Sequence, residues 1–225
     1  ITFGLDGLAS RLEGYKQQGA RFAKWREVYP VTPHNPTKLG LTANAEMLAR
    51  YAAQCQVLGI VPIVEPEVLM EGGHDITRCA EVSEQVLQAV FHALSQHAVI
   101  LEGIILKPNM ILPGKRCSSP ANAELVAKQT LSVLRRTVPS AVPSINFLSG
   151  GMEPEEATKN LNALNQMNDK APWQLSISYG RALQQPVLQA WRGVAGNWAA
   201  GQAELLKRAR LNSLARQAQY QGNME

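Results

Sequence analysis

One lysine organises the chemistry that this chain could perform. Lys107 closes the run Leu101-Glu102-Gly103-Ile104-Ile105-Leu106-Lys107-Pro108-Asn109, which reads as a buried strand that ends in an ammonium group. Burial disfavours the charged form of lysine, so a desolvated Lys107 would be partly neutral. A neutral amine attacks a carbonyl and forms a Schiff base. The plainer account is a lysine that surfaces at a strand end, because lysine is rarely buried without a partner. Two other strand-like runs carry Lys24 with Arg26 and Glu65 with Glu67. If adjacent strands bring these residues to one mouth, two carboxylates and three cations share a dry pocket. Repulsion from Lys24 and Arg26 would then add to burial in favouring the neutral amine of Lys107. Glu65 or Glu67 could carry the protons that move when a carbinolamine loses water. Interstrand salt bridging is the competing account of the same charges.

A second cluster follows the last two strand-like runs. Leu148-Ser149-Gly150-Gly151 and Tyr179-Gly180-Arg181 pair glycines with a serine and an arginine. Glycines let backbone N–H groups approach an anion closely, and an arginine adds a charge-assisted grip. A plain turn explains Gly150-Gly151 equally well, and both readings stand at this level.

These groups need a scaffold that brings them together. Apolar runs occur at Phe22–Val28, Ile60–Glu65, Leu101–Lys107, Ser144–Leu148 and Gln174–Tyr179, with starts about 38, 41, 43 and 30 residues apart. Each gap has room for a helix. Asn44–Leu58 puts Met47, Leu48, Tyr51, Ala52 and Cys55 on one face, and Ile76–His97 does the same with Cys79, Val86, Val90 and Leu94. Ala123–Val138, Pro154–Gln166, Gln185–Arg192 and Gln202–Gln217 are further helices, and Ala218–Glu225 is expected to fray. Asp75 before Ile76, and Pro154-Glu155-Glu156, supply helix starts. Repeated strand–helix units mean parallel strands with right-handed crossovers. The strands do not alternate cleanly, as expected where both faces are buried. Five units fit either an open doubly wound sheet or part of a (β/α)8 barrel. Ionisable or anion-binding residues at all five strand ends favour the barrel, whose chemistry gathers at the C-terminal ends of its strands. A doubly wound sheet concentrates function at one switch point, and no GxGxxG or GxxxxGK[ST] is present.

Composition narrows the function classes. Apolar residues make up 45% of the 225, enough for a sizeable core. No run of 18 apolar residues predicts a membrane span, and no secretory leader is read. Cys55, Cys79 and Cys117 are odd in number and scattered, which fits reduced cysteines and argues against a disulfide framework or zinc site. His34, His74, His92 and His97 form no metal-binding pair, so no metal is expected. The net charge of +4 is a mild bias toward anionic ligands, spread too evenly to mark a nucleic-acid surface.

Taken in order, Phe22-Ala23-Lys24-Trp25-Arg26, Val64-Glu65-Pro66-Glu67, Leu106-Lys107-Pro108-Asn109, Phe147-Leu148-Ser149-Gly150-Gly151 and Ser178-Tyr179-Gly180-Arg181-Ala182 closely resemble class I fructose-bisphosphate aldolase. Gly4-Leu5-Asp6-Gly7-Leu8 and Leu211-Asn212-Ser213-Leu214-Ala215 extend the resemblance over nearly the whole chain. It implies an α/β fold, a (β/α)8 TIM barrel, of which residues 1–225 form a single domain with strands 4 to 8 and the C-terminal helices. It also implies metal-independent cleavage of fructose 1,6-bisphosphate to dihydroxyacetone phosphate and glyceraldehyde 3-phosphate, in glycolysis and gluconeogenesis, with no cofactor. By this resemblance Lys107 forms the Schiff base, Glu65 shuttles protons with Glu67 in support, and Lys24 stabilises charge near the reacting oxygens. Arg26 would hold the distal part of the sugar, and Ser149, Gly150, Gly151, Gly180 and Arg181 the proximal phosphate. A cytoplasmic, homo-oligomeric enzyme is implied, with a sugar phosphate as its small-molecule substrate and neither nucleic acid nor membrane as partner.

The family's first three βα units carry an aspartate, a serine and a lysine that find no match here, and the first residue is Ile1. The reading therefore expects an N-terminally truncated chain with little cleavage activity alone. Two alternatives stay open: an incomplete fragment that only binds phosphorylated ligands or a protein partner, and a transaldolase-like Schiff-base lyase with a single phosphate site.

Overall fold

A computed structural model of the chain describes residues 1–168 and 170–225. A first helix, α1 (Leu8–Gln17), precedes five βα units: β1 (Phe22–Tyr29), α2 (Lys38–Val57), β2 (Val61–Val68), α3 (Ile76–Gln96), β3 (Ile105–Leu106), α4 (Ala123–Thr137), β4 (Ser144–Phe147), α5 (Pro154–Gln166), β5 (Gln174–Ile177) and α6 (Arg181–Trp191), followed by α7 (Trp198–Arg216). All pairings are parallel, in the order β1-β2-β3-β4-β5. A doubly wound sheet reverses its strand order at a switch point; this sheet does not reverse. It is the sequential order of a barrel, left open at β1 and β5 among the described residues.

Burial alternates in β1 and β4, whereas β2 is buried on both faces beyond Val61. Trp25, Glu27 and Tyr29 of β1, Val64 and Val68 of β2, Leu106 of β3, and Ile145 and Phe147 of β4 are all buried. Their neighbours at odd steps, Lys24, Arg26, Glu65, Glu67, Ser144 and Asn146, occupy the opposite face, because side chains along a strand alternate. The helices cover the first face with a continuous core that includes Leu48, Ala52, Cys55, Val82, Val90 and Leu94. Each fully buried aliphatic side chain there contributes about 1.5–3 kcal/mol. Cys55 and Cys79 fill this core, as expected. The second face carries the charged side chains of the site, Lys24, Arg26, Glu65 and Glu67.

Helix starts follow their local signals. The Asp75 side chain accepts the Arg78 N–H at 2.8 Å, and Asn122 caps α4 by accepting from Leu125. Pro154 opens α5. Helices α2, α6 and α7 each begin earlier than expected, and α1 was not anticipated.

β3 is the clearest correction. Leu101–Gly103 forms a 3-10 turn, and only Ile105 and Leu106 are strand. The last rung between β2 and β3 is the Lys107 N–H donating to the Val64 carbonyl at 2.8 Å. Beyond it stand Pro66 and Pro108, which have no N–H to give, so the ladder stops at Lys107. The Asn109 side chain closes the gap. Its Oδ1 accepts the Val68 N–H at 2.9 Å, and its amide donates to Ser83 Oγ and the Met110 carbonyl.

The chain end is also tighter than expected. Tyr220 is buried, and its N–H donates to Asn162 Oδ1. Arg208, itself buried, donates to Glu225 at 2.5 Å, and the Tyr220 hydroxyl donates to the other Glu225 oxygen at 2.9 Å. Burial alone would raise the Glu225 carboxyl, but these donors outweigh it and hold it below the usual carboxylate range. The Ala218–Glu225 segment is pinned by this polar clamp.

Candidate active site

Three strands deliver five charged side chains to one cleft of about 450 Å³. In the register of β1 and β2, Lys24 is level with Ile63, and Arg26 with Glu65. Each cation nonetheless reaches a carboxylate two residues further along. Lys24 Nζ lies 3.3 Å from Glu65 Oε2, and Arg26 Nε donates to Glu67 Oε2 at 2.5 Å. Long side chains that lean along a strand make such diagonal pairs. The charges therefore crowd toward the C-terminal ends of the strands.

Lys107 stands at the same level on the far side of Glu65, and its Nζ is 3.3 Å from Glu65 Oε1. One buried carboxylate thus sits between two lysines. The Lys107 side chain is 10% exposed and that of Glu65 4%, whereas Lys24 and Arg26 are 48% and 46% exposed. The pocket is dry at Lys107 and wet along β1, which corrects the expectation of a uniformly dry site. Glu67 holds the Arg26 guanidinium even more firmly charged than usual, through its hydrogen bond and its charge. Glu65 Oε2 is buried with no aligned hydrogen-bond donor, because Lys24 approaches it as a charge only.

The other wall of the cleft follows β4 and β5. The Leu148 N–H donates to the Pro108 carbonyl, and the Ser178 N–H to the Phe147 carbonyl, so these loops continue the sheet's order beyond its ladders. Ser149 is buried. Gly150 and Gly151 have φ of +57° and +86°, a conformation that side chains rarely adopt. Gly180 is the N-cap of α6 and Arg181 its first residue, so the positive end of a helix faces the same opening. Nine of the ten residues singled out from the sequence line this cleft; Gly151 stands outside it, beside Lys115 and Arg181.

Sequence reasoning missed three participants. Ser178 and Gln184 line the cleft, and Asn109 fixes the turn after Lys107. Only Asn109 had a local signal, its place after Pro108. Among the described residues, no group of three or more His, Cys, Asp or Glu side chains is placed to hold a metal ion. Nor is any described helix long and apolar enough to cross a membrane.

The model of the class-I fructose-bisphosphate aldolase family matches residues 1–225. The chain belongs to this family. It is 53% identical over 224 residues to cytosolic fructose-bisphosphate aldolase 4 of Arabidopsis thaliana, covering all of this chain and 57% of the relative. It is 53% identical to human fructose-bisphosphate aldolase C, again over 224 residues, which is 62% of that protein. The spinach cytoplasmic isozyme is 54% identical over 221 residues. A solved structure of fructose-bisphosphate aldolase from Plasmodium falciparum, in complex with TRAP and a small-molecule inhibitor, superimposes with a TM-score of 0.95 at 48% identity. It matches 97% of this chain, which covers 63% of it. The chain thus spans about three-fifths of the length of the relatives it matches. Its five-stranded sheet is the later part of an eight-unit family barrel.

Proposed function

We propose that this chain carries the Schiff-base half of a class I fructose-bisphosphate aldolase site. The observation that carries the reading is Lys107, nearly buried and 3.3 Å from a buried Glu65, in a cleft whose opposite wall is a glycine–arginine anion loop. The Lys107 amine attacks the ketone carbon of fructose 1,6-bisphosphate. Glu65 donates a proton to the departing hydroxyl as the carbinolamine loses water, and Glu67 supports it through Arg26. The protonated imine then takes up the electron pair of the breaking C–C bond, and glyceraldehyde 3-phosphate departs once its future carbonyl oxygen has lost a proton. Reprotonation of the enamine and hydrolysis of the imine release dihydroxyacetone phosphate and restore the amine. Lys24 stabilises negative charge near the reacting oxygens, and Arg26 holds the distal part of the substrate. Ser149, Gly150, Gly151, Gly180 and Arg181 hold the proximal phosphate.

No metal or other cofactor enters this scheme, since the imine itself is the electron sink. We infer that residues 1–225 are one domain with strands four to eight of the family barrel, a reading that the continuous core supports. The cytosolic and cytoplasmic names of the relatives support a cytoplasmic enzyme. A homo-oligomer that binds a sugar phosphate, and neither nucleic acid nor membrane, completes the proposal.

The test is borohydride trapping with fructose 1,6-bisphosphate in the full-length protein. A covalent adduct at Lys107 that disappears in Lys107→Arg is expected, because arginine keeps the charge but forms no imine. An adduct that persists in that variant moves the nucleophile elsewhere. Phosphate binding without any adduct in the native protein leaves the site as a binder only, a reading that the solvent-exposed β1 wall favours.

A further inference from the structure

We propose that Lys115, on the β3–α4 loop, is a further cation of the anion loop and makes it selective for the phosphate dianion. The inference rests on the phosphate reading of the loop given above. Its starting point is Gly151. A methyl group built on this glycine would stand 2.8 Å from Lys115 Nζ and 3.5 Å from Arg181 Nη1. Two cations from loops far apart in sequence therefore converge on one glycine of the loop.

The backbone under Lys115 is held in place rather than free. The Gly114 N–H donates to the His74 carbonyl, the Lys115 N–H to the Met70 carbonyl and the Arg116 N–H to the Gly72 carbonyl, each at 2.8 Å. The fit leaves no room at Gly114, where a Cβ would meet the Gly72 carbonyl oxygen at 2.5 Å. The neighbouring β2–α3 loop also touches the anion loop, since Met70 Sδ is 3.5 Å from where a Gly150 Cβ would be. Three loops thus pack as one block, and the block aims Lys115 at Gly151.

Lys115 has no carboxylate within 4.0 Å among the described residues. Glu153 and Glu156 line the groove outside the loop with it but remain beyond that distance. Arg181 likewise forms no ion pair there. This contrasts with the inner wall, where Lys24, Arg26 and Lys107 each have a carboxylate partner. Two cations that converge on a glycine with left-handed φ, beside the N-terminus of α6, leave about two positive charges uncompensated. That charge matches a doubly ionised phosphate better than a carboxylate or a phosphate monoanion.

The experiment measures inorganic phosphate binding by calorimetry to the full-length protein, native and with Lys115→Met, Lys115→Arg and Arg181→Ala. Lys115→Met is expected to weaken phosphate about three- to tenfold, as for a solvent-exposed charge-assisted contact, with the deficit shrinking as salt rises. Lys115→Arg should stay close to native. Native affinity should rise as inorganic phosphate passes its second ionisation, which lies above the value of about 6 for a phosphate monoester, and Lys115→Met should flatten that rise. Native binding by Lys115→Met, with Arg181→Ala impaired, overturns the role of Lys115 and leaves the phosphate reading intact. Native binding by Arg181→Ala as well overturns the phosphate reading, and this inference falls with it.

Discussion

Along β1, β2 and β3 the cleft is lined by paired charges; after β4 and β5 it is lined by glycines, uncharged side chains and Arg181. On the first side, Glu65 and Glu67 are buried and each cation has a carboxylate within 3.3 Å. On the second, Gly150 and Gly151 take left-handed φ, and the cations Arg181 and Lys115 lack carboxylates among the described residues. Compensated charge suits a place where protons move, because a buried lysine and carboxylate that share a contact can exchange one at little cost in net charge. Uncompensated charge suits a place that holds an anion and does nothing else to it. Under the function proposed above, the difference separates turning over a substrate from gripping it.

The contrast breaks most sharply at Glu65. Glu65→Gln removes the charge between Lys24 and Lys107 and the proton carrier with it. A fall in kcat of about 10²–10⁴-fold is expected, with the KM for phosphorylated substrate little changed. Arg181→Ala should do the reverse. A charge-assisted contact is worth about 1.5–3 kcal/mol, so the KM should rise roughly ten- to a hundredfold with kcat near native. Steady-state kinetics of both variants decide the matter: equal losses in the same parameter would erase the division between the two walls. Gly151→Ala is milder. Its strained φ costs about 1–2 kcal/mol, and its methyl would push Lys115 aside, so a lower melting temperature and weaker phosphate binding should appear together. Loss of stability alone would make the glycine a turn and nothing more.

The smallest effect lies under the loop block. Both His74 ring nitrogens are buried without a hydrogen-bond partner, and desolvation lowers its pKa against the pull of Asp75. The unfolded chain then binds that proton more readily than the folded one, so stability falls as pH drops below about 6.5. His74→Gln should flatten the melting temperature against pH in that range. An unchanged slope would assign the acid sensitivity to another group.

Much of this was legible in the sequence, and the failures share one physical cause. Strand positions followed from local apolar runs, and α3 and α5 from strong periodicity with Asp75 and Pro154 at their starts. The ten candidate residues were singled out because strand ends concentrate polar types, and nine of them line one cleft. What escaped depends on partners distant in sequence. The first turn of α2 is largely exposed and shows no apolar period. Tyr220 and Glu225 are fixed by Asn162 and Arg208, which no local pattern announces. Lys115 looks like any loop lysine until Met70 holds its backbone, with His74 and Gly72 holding its neighbours Gly114 and Arg116. The two prolines that shorten β3 were in plain sight, but their effect needed the register of the neighbouring strand.

That shortened strand has a mechanical consequence. β1 and β2 share eight register pairs and β4 and β5 share four, whereas β3 meets its neighbours through two pairs on one side and one on the other. The sheet is therefore two stiff plates joined by a narrow seam, and Lys107 stands on the seam. Amide exchange should reach the backbone around Ile105–Lys107 before the centres of β1 and β2, since a strand with few rungs opens at lower cost. Under the function proposed above, the nucleophile would stand at this joint, in contact with Glu65 on one plate and facing the anion loop on the other.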